Sequence, residues 1–155
     1  MKRTLYYLLQ AIILVSMSAQ LAWGAHMKAT TSSLQTIPFH RTDVPCLLMF
    51  QTFGDSKRGP LTELFKALPG CVIPWHQHTS GEQVIVMTGQ ISAQMADGKT
   101  NLKKGWLANM PGGMKHQLIC QSRSACFLLV TWDKPYDICW YDKCPDPSAT
   151  CTICK

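Results

Sequence analysis

Apolar positions along the chain fall into short runs, and nowhere do they sustain the 3.6-residue period of an amphipathic helix. The runs at 46–53, 61–68, 84–87, 91–95, 106–110, 116–121 and 127–132 are rich in Val, Ile, Leu, Phe and Trp, and glycine, proline and aspartate divide them. Gly54-Asp55 and Gly59-Pro60 are turn signals between the first two. Asp97-Gly98 predicts a tight hairpin, because both central residues of such a turn must accept positive φ. Strands recurring every 8–12 residues or so predict an all-β domain, a barrel or a sandwich. Gly89 and Gly105 fall where strands turn sharply, and Pro111-Gly112-Gly113 predicts a bend just before His116.

The first apolar run, 5–17, has a different character. It follows Met1-Lys2-Arg3, is interrupted by Gln10 and gives way to Ser16, Ser18 and Gln20, which makes it short for a membrane span of roughly 20 apolar residues. A basic start, a short apolar core and the small residues of Ala22-Trp23-Gly24 predict a secretory signal, 1–24, and a mature chain beginning at Ala25. Cleavage after Ala25 and an uncleaved amphiphilic anchor are the alternatives. No stable membrane anchor is expected once the signal is cut. Residues 25–45 read as a polar terminus and the approach to the first strand, 46–138 as the barrel, and 139–155 as a cysteine-rich tail.

About 130 mature residues suffice for one core, not two. The formal charge is +6; cleavage removes Lys2 and Arg3 from 15 basic residues, leaving thirteen against nine acidic ones, scattered rather than striped. Such a pattern does not build a phosphate-neutralising face, so no nucleic-acid partner is expected. With no repeat and no phosphate-binding glycine loop, nucleotide-driven chemistry is also set aside. Eight cysteines agree with the export signal in pointing to an oxidising compartment, periplasmic or extracellular.

Two spaced motifs carry the chemistry. Gly70, His76, His78, Glu82 and Gly89 stand at G-x5-H-x-H-x3-E-x6-G, and Gly105, Pro111, Gly113 and His116 at G-x5-P-x-G-x2-H. Imidazole and carboxylate donors suit a divalent transition metal, which needs several of them converging on one point. Residues two apart on a strand point the same way, so His76 and His78 can grip one ion while Glu82 returns from the next strand and His116 from a separate hairpin. A set of core imidazoles satisfied by hydrogen bonds is the plainer alternative. His26 and His40, outside the motifs, read as exposed side chains.

These motifs, in this order and separated by the fifteen residues 90–104, resemble those of the cupins, and the likeness runs over 61–142. It implies a double-stranded β-helix of the jelly-roll kind, with the metal held by His76, His78, Glu82 and His116. The pattern departs at Cys120, where the second motif usually has an asparagine that is not a ligand. Trp132-Asp133-Lys134-Pro135-Tyr136-Asp137-Ile138 is similar, more weakly, to the closing segment of small single-domain cupins. The resemblance also implies a homodimer, since similar barrels cover an outer sheet face with a copy of themselves.

Three imidazoles and one carboxylate leave about two positions of an octahedral ion open to a small-molecule substrate, water or dioxygen. With the cupin resemblance, this implies a metal-dependent, dioxygenase-type oxidoreductase, with Glu82 as ligand and, as in similar cupin dioxygenases, catalytic proton acceptor; the alternative is a non-catalytic metal- or ligand-binding module. Iron, manganese, nickel, copper and zinc all suit the donors. Lys2-Arg3 lacks the further residues of a twin-arginine signal, so the chain is expected to cross unfolded and take its metal outside the cytoplasm, which disfavours iron. The mature chain has only two glutamates, Glu63 and Glu82, and an acid–base pair independent of metal is hard to assemble. Tyr136 and Lys66 are expected to serve packing or surface roles. Leu64, Met87, Met110 and Trp106 are a first guess at an apolar pocket lining.

Cys139, Cys144, Cys151 and Cys154 stand at C-x4-C-x6-C-x2-C and predict two disulfides, with a zinc knuckle as alternative. Cys71 and Cys120 are expected on neighbouring strands, but their parity opposes a bond between them unless Pro74 introduces a bulge. Cys46 and Cys126 are expected as packed thiols.

Overall fold

The computed structural model describes residues 30–141. The signal segment, His26 and Cys144, Cys151 and Cys154 lie outside them. Residues 30–36 hold a turn closed by Thr36 N–H donating to Ser33 O at 3.0 Å. From Ile37 on, the described chain is built of strands, β1 (His40–Arg41), β2 (Leu47–Gly54), β3 (Leu61–Ala67), β4 (Val72–Gln77), β5 (Glu82–Thr88), β6 (Gln90–Met95), β7 (Gly98–Lys103), β8 (Leu107–Met110), β9 (His116–Cys120), β10 (Cys126–Trp132) and β11 (Cys139–Trp140).

All the pairings are antiparallel, in two sheets ordered β1-β2-β3-β10-β5-β8 and β11-β4-β9-β6-β7. This is the expected all-β jelly roll. Alternation explains why the sheets stack: on β10, Cys126, Leu128, Val130 and Trp132 are buried while Phe127, Leu129 and Thr131 are only partly covered. On β9 the same phase buries His116, Leu118 and Cys120. Val84, Val86, Ile91 and Ala93 meet these residues from β5 and β6 in one core cluster, each with no exposed surface. Both sheets therefore give one face to a common interior.

The chain changes sheets between β5 and β6 at Gly89, whose φ is +82°. A Cβ there would lie 2.8 Å from Cys126 Sγ, so only glycine fits. The β6–β7 hairpin forms where expected, but its loop is Ala96 and Asp97, with Gly98 opening β7 opposite Met95. β1 and β11 extend the sheets beyond 46–138, and β11 edges the second sheet by pairing with β4.

β4 carries one extra residue relative to β9. Ile73 faces Leu118 and His76 faces His116, so Pro74 and Trp75 oppose Gln117 alone. Proline has no N–H to lose from the ladder, which suits it to such a bulge. Parity is thereby reset, and Cys71, Ile73 and His76 are all buried.

The disulfides correct the expectation of packed thiols. Cys46 bonds Cys71 and Cys120 bonds Cys126. Cys71 and Cys120 are neighbours, with Cys120 N–H donating to Cys71 O at 2.9 Å, but their sulfurs pair elsewhere. The turn after β3 is the reason: Leu68 N–H donates to Cys46 O and Cys71 N–H to Leu68 O, which folds Cys71 back against the start of β2. Cys139 is also disulfide-bonded.

Candidate metal centre and cavity

His76, His78, Glu82 and His116 come together, each offering a donor atom within 4.8 Å of the others, and all four side chains are buried. Both sheets contribute. His76 and His116 are cross-strand partners on β4 and β9, His78 lies just past the end of β4, and Glu82 opens β5 in the other sheet, opposite Trp132 and Met110.

The three imidazoles are oriented from behind. His76 donates Nδ1–H to Pro74 O at 2.7 Å, His116 donates Nδ1–H to Met114 O at 2.9 Å, and His78 donates Nδ1–H to Asp137 O. A carbonyl oxygen only accepts, so each ring in its neutral form carries its proton on Nδ1 and leaves Nε2 with a lone pair. His78 Nε2 lies 3.6 Å and His116 Nε2 3.0 Å from Glu82 Oε2. The closer contact falls short of hydrogen-bond geometry, and His78 Nε2, His116 Nε2 and Glu82 Oε2 are all buried without a hydrogen-bond partner. Three orphaned donor atoms around one point cost several kcal/mol together, at about 1–3 kcal/mol each. A divalent cation would satisfy them, so the donor set fits a metal.

Electrostatics follow the same geometry. Burial, then the neighbouring His116 and His78, pushes His76 down to about 3. Burial also lowers His78. For Glu82, burial works upward, but contact with His116 and the charge of His78 outweigh it and hold the carboxyl below its ordinary value. Burial works against charge on His116, and Glu82 beside it prevails, raising the imidazole.

The loop 78–82 is fastened by the segment after β10. Thr79 donates its N–H to Asp137 Oδ1 at 2.8 Å and its hydroxyl to Asp137 Oδ2 at 2.7 Å, while Gly81 N–H donates to Asp133 Oδ1 at 2.7 Å. From the other side Gly113 N–H donates to His78 O at 2.7 Å. Gly112 lies against the same loop, where a Cβ would sit 2.4 Å from Thr79 O.

His76, His78 and Glu82 face a cavity of about 350 Å³. Its walls include Phe65, Ile73, Leu118, Trp132 and Trp140, with Arg41, Asp43, Gln51, Glu63 and Tyr136 among its polar groups. The Trp132 ring stands edge-on to His78 at 4.4 Å, with Tyr136 5.6 Å from His78 and Trp140 5.3 Å from His76. Burial chiefly raises the Tyr136 phenol, keeping it protonated. Glu63 is buried, accepts Trp132 Nε1–H at 3.0 Å, and is raised mainly by burial.

The sequence-based lining is corrected: Leu64, Met87, Met110 and Trp106 do not border this cavity. On β3 the cavity-facing residues are Glu63 and Phe65, with Leu64 between them on the other face; Trp106 is 50% exposed; and Met110 borders a separate hollow on the far side of Glu82. Lys66 points away from the site, its Nζ 5.8 Å from the Phe127 ring centre. Sequence reasoning missed the roles of Glu63, Trp132 and Asp137. Inward phase with Leu61 and Phe65 was the available signal for Glu63.

Several solved structures share the fold. The polyketide cyclase RemF from Streptomyces resistomycificus superposes with a TM-score of 0.61 at 16% identity, covering 77% of this chain and 90% of that one. KdgF from a Halomonas species gives 0.56 at 14% identity, covering 69% and 96%. A salicylate 1,2-dioxygenase from Pseudaminobacter salicylatoxidans gives 0.53 at 18% identity, covering 59% and 27%. No curated protein matches in sequence. Residues 24–134 match the family described as the ChrR cupin-like domain, so a chain with two facing sheets and three imidazoles and a carboxylate gathered between them belongs to the cupins of that family.

Proposed function

We propose that this cupin holds one divalent transition metal through His76, His78, Glu82 and His116 and acts as a dioxygenase-type oxidoreductase on a small oxygenated organic molecule. The observation that carries the reading is the common orientation of the imidazoles, each Nδ1–H spent on a carbonyl, beside an apolar cavity that Glu82 also borders. When bound, the ion supplies Lewis acidity and open positions for substrate oxygen and dioxygen. The chain supplies the rest. Phe65, Trp132 and Trp140 receive a planar apolar body and exclude water, and Glu82 Oε2 accepts the proton of an enol or phenol hydroxyl brought beside it. A cavity of about 350 Å³ lies at the lower end of small-molecule sites, which run from about 300 to 1,000 Å³. The salicylate dioxygenase among the structural neighbours is a cupin-fold precedent for a compact aromatic substrate.

We place the protein in the periplasm or outside the cell, after removal of residues 1–24. The Cys46–Cys71 and Cys120–Cys126 disulfides support this, because such bonds persist in oxidising compartments. A homodimer belongs to the same reading: β8 edges its sheet, and Trp106 and Leu107 are about half exposed there, at 50% and 49%.

Metal analysis of the protein purified from its native compartment, followed by oxygen uptake with enols, phenols and small carboxylates, tests the proposal. Uptake that depends on one reconstituted metal supports the enzyme. Stoichiometric metal without uptake in any reconstituted form would replace it with a binding module, and absence of metal would overturn both.

A further inference from the structure

Glu63 is the one carboxylate of the cavity wall that the proposed metal centre does not use and that lies buried. It is 2% exposed, borders the cavity, and among the described residues takes a single hydrogen bond, from Trp132 Nε1 to Oε2 at 3.0 Å. Its Oε1 takes no hydrogen bond among the described residues and is not sealed away as Glu82 Oε2 is, so a polar group in the cavity can reach it. Structural support for Trp132 needs only the bonded oxygen.

Its position is set by register. Glu63 faces Val130 across β3–β10, and Val130 faces Val84 across β10–β5, so Glu82 stands two strands over and two residues along. At about 4.8 Å per strand and about 3.4 Å per residue, the two backbones are roughly 12 Å apart on the same inner wall. The Trp132 indole runs along this stretch of wall, bonded to Glu63 at one end and edge-on to His78 at the other, so one ring with oxygens at opposite ends would reach both by lying over the indole. Phe65, Ile73, Leu118 and Leu128 close the sides without polar atoms.

Resting on the metal-site reading, we propose that Glu63, held by Trp132, is the specificity-determining group of the cavity: it hydrogen-bonds the far oxygen of an uncharged ring whose near oxygen lies at the His76/His78/Glu82/His116 cluster. Burial favours its neutral form, which donates to such an oxygen as well as accepting from it.

Calorimetric titration of zinc-loaded protein with hydroquinone and with phenol, under exclusion of oxygen, tests this. Wild type should bind hydroquinone about tenfold more tightly than phenol. Glu63→Leu should bring that ratio near one while leaving phenol affinity within about twofold, and Glu63→Gln, which keeps a donor and an acceptor, should retain at least a threefold preference. Glu63→Met carries the same expectation as leucine should Glu63→Leu not fold by circular dichroism. A merely structural role for Glu63 would move stability and both affinities alike. Equal binding of the two probes to wild type, binding of neither, or a preference unchanged in the apolar variants would overturn the proposal. Elemental analysis of the same samples reports on the metal site separately, and titrations of metal-free protein judge Glu63 even where no zinc is held.

Discussion

His76 and His116 face each other across β4 and β9 with ring centroids 4.1 Å apart, yet their proton affinities are driven in opposite directions. Burial and its imidazole neighbours keep His76 neutral, while Glu82 favours a proton on His116. A cation must displace that proton. With the folded value of His116 above its ordinary 6.5, its contribution to metal-free stability is complete below 6.5 and is lost as pH rises through the folded value. Metal-loaded protein, whose His116 Nε2 carries no proton, should instead gain stability as pH rises toward 6.5 and level off above it. Calorimetry in buffers of different ionisation enthalpy should record more than half a proton released per metal just below the folded value, approaching one as pH falls further; a release of zero there would contradict the assignment of His116 as a ligand.

His78→Ala removes one donor from the convergent set and leaves Glu82 without one of its two close imidazoles. Metal content should fall from about one per chain to a small fraction. Affinity should drop at least 10–100-fold, the range typical even for loss of a group that only orients a ligand. Elemental analysis after gel filtration checks this, and stoichiometric metal in the variant would refute ligation by His78.

Asp137 acts on the same ligand indirectly. Its carboxylate holds Thr79 twice and its own carbonyl takes the His78 Nδ1 proton. Asp137→Ala should therefore weaken metal binding by about 10–100-fold with the four donor side chains intact. Competition with a chelator measures it; unchanged affinity would leave Asp137 a loop fastener only.

The two disulfides should differ in what they stabilise. By loop-closure entropy, the Cys46–Cys71 bond, with a sequence separation of 25, contributes about 3–4 kcal/mol, and Cys120–Cys126, with a separation of 6, about 2 kcal/mol. Replacing each pair with serine and measuring unfolding in denaturant should rank them in that order.

Much of the fold was legible because alternating runs and turn residues are local signals. The runs at 61–68, 84–87, 91–95, 116–121 and 127–132 each contain or overlap a strand, and glycine stands at the switch between β5 and β6. The four motif residues are brought to one place by the pairing of His76 with His116 and of Glu82 with Trp132. What escaped depends on contacts between distant segments. The partner of Cys46 is decided by the turn at Leu68–Cys71, and the cavity wall by which face of β3 turns inward, where Glu63 rather than Leu64 meets the interior. Asp137 reaches the site across 58 residues of sequence, a reach that no periodicity encodes.

The added residue at Pro74–Trp75 lets one strand obey two phases, aliphatic packing on one side of the irregularity and imidazole placement on the other. Ile73 ahead of the irregularity and His76 behind it therefore both turn to the same chamber, which an uninterrupted strand, with its strict alternation, would forbid for residues three apart.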